Sequence, residues 1–409
     1  MSAEESSRTG KRRGDAPRIG GDAEGAGSEH LGFERPRLEQ TISGHARSEQ
    51  DSLERARELI LQHGVNTTSY QILNPGIQRW FSPRRNAVVG YVEGGGHRVV
   101  AGEPVSAEED VESVVDAFES DSAAAGCPVV YFAAERRLAR ALASRGPWDR
   151  LYLGAQPVWR PQHWPQILAS KASLRAQLHR ALNKGVEVHR WSAQRAAGEP
   201  QLSRCLDEWL STRGLPPLHF LVEPQTLGRL FDRQLFVAQQ RGQVVGFLVL
   251  SPIPRRNGWL VEQNIRGAGA PNGTTELLLD GAMTAAAETG SNFVTLGLCP
   301  LSRRATPSEG DGAWGRREER LWLRGLLAWV RAHGRRFYNF DGLDAYKAKF
   351  LPEHWEPIYA ITSERKVGIS TLYAIAAAFG STSPPVLLAR ALGRAVKQEA
   401  RWLRQRWGG

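Results

Sequence analysis

The segment Pro271-Asn272-Gly273-Thr274 stands directly before a run of residues that reads as a helix to about Glu288. A helix opening there presents unpaired backbone N–H groups, which make a natural anion or oxyanion site. Gly273 would let a ligand come close to the backbone. The same residues also fit plain capping, with Asn272 or Thr274 as the cap and Glu276 in the capping role. Glu262 lies four residues before Arg266 near the end of a predicted strand. The two read either as a site pair, carboxylate for an ammonium and guanidinium for a phosphate, or as a strand-end ion pair. Asp341 precedes Gly342 at a predicted strand end, where α/β proteins place polar site residues. Lys347 and Lys349 sit two apart and cannot share one helix face, so one points into a site while the other meets solvent. Glu356, before Pro357, reads as a substrate contact or as a structural cap or pair where the chain turns into a final strand. None of the ten histidines joins a Ser-His-Asp or Cys-His arrangement. Cys127, Cys205 and Cys299 show neither a pairing pattern nor metal-ligand spacing, so no disulfide framework and no metal are expected.

The elements that must hold these residues repeat along the chain. In the first half, Ala87–Val92, a turn at Glu93–Gly96 and Val99–Gly102 read as strand, turn and strand. A helix follows at 108–125, a strand at Pro128–Ala133, a helix at 134–145 and a strand at 150–158. In the second half, Leu235–Gln239 and Val244–Leu250 flank the turn Arg241-Gly242, and Trp259–Ile265 adds a strand. The helix from 273, a strand at Asn292–Leu298, a helix at 317–333 and a strand at Phe337–Phe340 complete the echo. The pattern predicts two similar α/β (α+β) units side by side. Between them, Leu174, Leu178 and Leu182 recur every four residues and define an apolar helix face. Lys171, Arg175, His179, Arg180 and Lys184 fill the remainder, as a solvated surface or a phosphate-contacting one.

A formal charge of +10 over 409 residues favours an acidic partner: tRNA, anionic lipid or a phosphorylated small molecule. Residues 1–55 are Gly-, Ser-, Arg- and Glu-rich and aromatic-poor, the composition of a disordered tail. No apolar run reaches 18 residues and the N-terminus lacks a secretory pattern. The glycine-rich stretch Ser302–Gly315 reads as a lid or a surface insertion. Beyond Pro384-Pro385, Leu388, Leu392, Val396, Leu403 and Trp407 share a helical face opposite Arg390, Arg394, Lys397, Arg401 and Arg404. That is the pattern of an interfacial anchor on anionic lipid, or of a helix docked on the core. The boundaries expected are 1–55 (tail), 56–165 and 166–363 (the two α/β units, the site in the second) and 364–409 (basic C-terminal segment).

Five separated motifs occur in an order that closely resembles the C-terminal catalytic domain of the phosphatidylglycerol lysyltransferases, the multiple peptide resistance factor family. They are Glu208–Pro224, Arg266–Asp280, Leu296–Ser302, Phe337–Phe350 and Trp355–Tyr359, with weaker matches at Val99–Val105 and Leu151–Gly154. The resemblance covers about residues 60–362. It implies two tandem GNAT-like acyltransferase folds, an aminoacyl-tRNA donor, a membrane lipid acceptor such as phosphatidylglycerol, and no cofactor, since the ester is already activated. It also implies a free-standing form lacking the family's membrane flippase domain, cytoplasmic and peripheral on the membrane's inner face. By resemblance, Glu262, Arg266, Asp341 and Lys347 would be catalytic, and Asn272, Gly273, Thr274, Glu276, Lys349 and Glu356 would bind substrate. The alternative is an N-acyltransferase using acyl-CoA on a small amine or peptide. Arg266-x-x-Gly269 resembles the coenzyme A pyrophosphate loop, but Pro271 and Asn272 break its glycine pattern.

Overall fold

In the computed structural model, residues 36–142, 148–212, 219–305, 340–364 and 366–380 are described. The expected 317–333 helix, the expected lid beyond Ala305 and the basic segment 386–409 lie outside them. The chain divides into two compact units, Met1–Glu49 and Gln50–Gly409. Of the first, only the opening part of helix α1 (Pro36–His63) is described. That helix occupies residues 36–55, where an unstructured tail was expected. Within the second unit its end buries Ala56, Leu59 and Ile60 completely.

In Gln50–Gly409 the echo becomes one sheet. The first repeat holds β1 (Gln78–Phe81), β2 (Val88–Gly94), β3 (His97–Ala101), α2 (Val111–Ala124), β4 (Val129–Ala134), α3 (Arg136–Ala141) and β5 (Asp149–Trp159). A linker pair, α4 (Trp164–Ser170) and α5 (Ala172–Leu182), leads into β6 (Val186–Trp191), α6 (Ala193–Ala196) and α7 (Pro200–Ser211). Then come β7 (Gln234–Gln240), β8 (Gln243–Ile253), β9 (Gly258–Arg266), α8 (Thr274–Glu288), β10 (Phe293–Thr295) and β11 (Cys299–Pro300). Helix α9 (Phe340–Ala348), β12 (His354–Thr362) and α10 (Ile369–Phe379) close the described chain. Phe340 and Asp341 therefore open a helix; the strand expected to end at Phe340 does not reach it as a strand.

Each repeat runs an antiparallel meander into a parallel β-α-β crossover, β3-α2-β4 and β9-α8-β10. The strand order is β1-β2-β3-β4-β12-β5-β10-β9-β8-β7-β6, with β11 on β5. The final strands are exchanged. β12, from the second repeat, lies beside β4, and β5, from the first, lies beside β10. β12 also pairs with β5 from His354↔Val158 to Thr362↔Asp149. The repeats are thus interleaved where side-by-side units were expected.

Helices cover both faces of the second repeat. Leu174, Leu178 and Ala181 of α5 and Leu277, Leu278, Ala282 and Met283 of α8 pack with Phe236, Leu248 and Val261 on one face. Cys205 and Leu206 of α7 meet Val237, Phe247 and Ile265 on the other. Leu182, placed on the apolar face by its spacing of four, is 48% exposed. Each step of four residues turns about 40° past a full helical circle, and Ala181 takes the core position instead.

Candidate active site

In parallel β-α-β units, ligands gather at the carboxyl ends of the strands. β9 and β10 pair only over Gly258–Leu260 and Phe293–Thr295. Beyond Leu260, β9 continues to Arg266 on β8 alone, so the two parallel strands part at their carboxyl ends. Helix α8 starts over this opening, and several expected site residues meet there.

Gly273 is the N-cap of α8, at φ +97°, and no side chain caps the helix. Neither Asn272 nor Thr274 plays that part. Thr274 is buried, its hydroxyl donating to the Pro271 carbonyl at 2.7 Å. Asn272 is exposed, its Oδ1 accepting from Arg266 Nη1 at 3.3 Å. A Cβ on Gly273 would lie 2.0 Å from the Gln177 carbonyl oxygen. The close approach expected at this glycine is made by the protein's own helix α5. Glu276, in the first turn, accepts from the Thr275 hydroxyl at 2.9 Å and from the Lys349 ammonium. Burial pushes the Glu276 carboxyl up, but these donors and the Lys349 charge outweigh it and hold the group below the usual range. The Lys349 ammonium lies 4.3 Å from the Tyr346 ring centroid, and burial raises the Tyr346 phenol above its ordinary value. Arg266, Asn272, Gly273, Thr274, Glu276 and Lys349 thus form one constellation: a helix start, an exposed guanidinium and a neutralised carboxylate–ammonium pair.

Four expected residues lie elsewhere. Lys347 is 5% exposed, and its ammonium donates to the carbonyls of Leu296, Gly297 and Leu298 at 2.7, 2.9 and 2.9 Å. These are the carbonyls just past β10, where the strand has lost its partner β9. All three ammonium protons are committed to backbone, so this lysine shapes the opening from within; an ammonium facing phosphate is not what the geometry provides. Burial lowers its pKa to about 8. Glu262 is buried in an ion pair with Arg233 at 2.8 Å and also accepts from Ser251. Arg233 donates to Asn74 Oδ1 at 2.8 Å, tying the second repeat to the segment Ser69–Leu73 and its neighbour in the first. Burial raises the Glu262 carboxyl, yet Arg233 outweighs it and holds the group below the usual range. Of the two readings of Glu262, the ion pair is the one formed, with Arg233 in place of Arg266; Arg233 carried no sequence signal. Asp341 lies in the first turn of α9.

Glu356 belongs to a second cluster, at the equivalent carboxyl end in the first repeat. It accepts from Arg256 at 2.7 Å and Gln156 at 2.9 Å. Burial pushes it up, but His354 and Arg256 bring its pKa down to about 2. Arg256 also pairs with Glu135. Beside them a cleft of 750 Å³ is lined by Glu108, Glu112, Arg137 and Arg140. There, burial and the neighbouring Glu135 raise the Glu103 carboxyl above its usual range. The helix start here, α2, is preceded and opened by Glu108, Glu109, Asp110 and Glu112. Its carboxylates already face the helix dipole and repel a phosphate. Among the described residues, the start of α8 has the exposed Arg266 beside it where the start of α2 has carboxylates. Among the described residues no group of His, Cys, Asp and Glu could hold a metal ion.

Duplicated meander-crossover units on one mixed sheet, with a helix start over parted parallel strands, define a tandem GNAT-like α/β fold. Residues 57–362 match the family described as "Phosphatidylglycerol lysyltransferase, C-terminal", and the chain belongs to that family. The Phosphatidylglycerol lysyltransferase of Bacillus subtilis (strain 168) is 22% identical over 319 residues, which is 78% of this chain and 36% of that relative. The chain therefore spans little more than a third of that relative's length. Among solved structures, the C-terminal domain of a putative lysylphosphatidylglycerol synthetase from Agrobacterium fabrum superposes with a TM-score of 0.68. Identity is 20%, with 81% of this chain and 98% of that one covered. L-PGS from Bacillus licheniformis gives a TM-score of 0.65 at 21% identity, covering 79% and 94%. At these identities the two structures share the fold. No helix among the described residues is long and apolar enough to cross a membrane.

Proposed function

We propose that this protein transfers an amino acid from aminoacyl-tRNA to the hydroxyl of a membrane lipid such as phosphatidylglycerol, at the start of α8. The observation that carries the reading is the cationic helix start over the parted β9 and β10, in a chain of the phosphatidylglycerol lysyltransferase family. In the reaction, the lipid hydroxyl oxygen bonds to the ester carbonyl carbon. The bond from that carbon to the tRNA ribose oxygen breaks, and the hydroxyl proton passes to the leaving ribose oxygen. The donor ester is already activated, so the chemistry needs charge compensation and positioning and no cofactor. Arg266 and Asn272 take the donor's phosphate or the developing oxyanion beside the helix start. The Glu276–Lys349 pair lines the same opening and binds polar substrate groups. Lys347 shapes its wall from within, and the Glu262–Arg233 pair ties the second repeat to the first. The basic segment 386–409 would keep the protein on the inner face of the membrane, against anionic head groups.

Incubating the protein with mixed charged tRNAs and total lipid, followed by lipid mass spectrometry, tests the reading. An aminoacylated lipid that requires charged tRNA and ignores acyl-CoA is expected. Robust turnover with acyl-CoA and without tRNA would replace it with the N-acyltransferase.

A further inference from the structure

Residues 160–186, spanning α4 and α5, contain no Asp or Glu but include Arg160, Lys171, Arg175, Arg180 and Lys184. The cations are not equivalent. Arg160 pairs with Glu353 at 3.6 Å. Arg175 Nη1 turns back onto the Leu168 and Ala169 carbonyls, closing the end of α4. Arg180 and Lys184 remain exposed. At 100° per residue, Gln177, Arg180 and Ala181 fall within an arc of about 100° on α5, and Lys184 stands in the turn just past its end. Two of the four, Gln177 and Ala181, are the residues packed on Gly273, with the Ala181 methyl 3.4 Å from where a Gly273 Cβ would stand. Arg180 and Lys184 therefore flank the start of α8, and Arg266 and Asn272 continue the rim beyond Gly273. Lys171 and His179 lie toward the other flank of the helix.

We infer that this basic rim, centred on Arg180 and Lys184, is the surface on which the sugar-phosphate backbone of the donor tRNA docks as its charged end enters the site. The inference rests on the proposed use of aminoacyl-tRNA. A row of exposed cations leading away from the anion site suits a polyanion whose reactive ester lies at one end of the strand. A lipid head group brings a single phosphate to one point. The exposed apolar side chain on α5, Leu182, offers little for insertion into a bilayer.

The test is the Arg180→Ala/Lys184→Ala double variant, measured for binding of uncharged tRNA across a salt series and for transfer kinetics. Both side chains are exposed, so the melting temperature stays at the wild-type value. Each phosphate contact contributes about 0.9 to the slope of log affinity against log salt, or about 0.7 on a single strand. The variant's slope should be shallower by about 1.4–1.8, its affinity about tenfold lower or more at low salt, and its KM for charged tRNA raised at unchanged kcat. Lys171→Ala/His179→Ala should bind as wild type. If wild type binds tRNA and the double variant keeps its affinity and slope, the docking face is wrong while the transfer reaction stands. If wild type binds no tRNA at all, the donor reading falls with it. A double variant that floats poorly with phosphatidylglycerol vesicles but binds tRNA normally assigns the rim to lipid and overturns the inference.

Discussion

An alanine at position 273 would set its Cβ 2.0 Å from the Gln177 carbonyl oxygen and 2.9 Å from its carbon. Even a favourable carbon–oxygen contact is about 3.3 Å, so α5 would have to retreat by more than about 1 Å. The obstacle is helix backbone, which cannot rotate aside as a side chain does. The backbone at Gly273, φ +97°, adds a left-handed penalty of roughly 1–2 kcal/mol for an L residue. Overpacking costs roughly 1–3 kcal/mol more, so Gly273→Ala should destabilise by roughly 2–5 kcal/mol. Gly290→Ala separates the two contributions. Gly290 has φ +70° and nothing within 4 Å of its notional Cβ, so it reports the backbone penalty alone. Calorimetry or urea denaturation of both variants, with hydrogen exchange across 172–182, gives the packing contribution by difference. Faster exchange in α5 is expected only for Gly273→Ala. If both variants melt alike and Gly273→Ala loses only transfer activity, the glycine serves ligand approach and the packing argument is refuted.

Lys347→Met should destabilise at pH 7 by roughly 1–3 kcal/mol for each carbonyl that water cannot reach, a loss visible in a melt without any substrate. Burial holds the Lys347 pKa at about 8 in the fold, below the free value of 10.5. Between those values the unfolded chain binds more protons, so wild type should gain stability relative to Lys347→Met as pH rises through that window; a flat difference refutes the lowered pKa. Arg233→Met leaves Glu262 buried and unpaired and should cost roughly 3–5 kcal/mol. The contribution of Glu262, whose folded pKa is depressed, is present above about pH 4.5 and disappears as pH falls through its folded value; acid titration of the wild-type and Glu262→Gln melts checks it. Arg266→Ala should lower transfer roughly a hundredfold with an unchanged melt, and wild-type turnover would remove Arg266 from the site.

Local signals led to part of this architecture. Helix α8, the turn-bounded hairpin β7–β8 and the apolar face of α5 follow from periodicity and glycine placement, because such features depend on residues a few positions apart. The same locality explains why Arg266, Asn272, Gly273, Thr274 and Glu276 could be expected together: they are neighbours in the chain as well as in space. Pairing partners far apart in sequence were not legible. Nothing near Pro357 announces that β12 inserts between β4 and β5, about 200 residues upstream, because edge complementarity is created only when both repeats have folded. Lys347 reads as a site cation until the fold leaves three carbonyls without a strand partner around it. Glu262 reads as a neighbour of Arg266 until β8 and the first repeat close over it and bring Arg233 to 2.8 Å. Residue types and short spacings determined which groups could carry charge and where helices could begin. Tertiary packing decided which charges stay open to a substrate, because burying an ion forces it to find a partner, and that partner can lie anywhere in the chain.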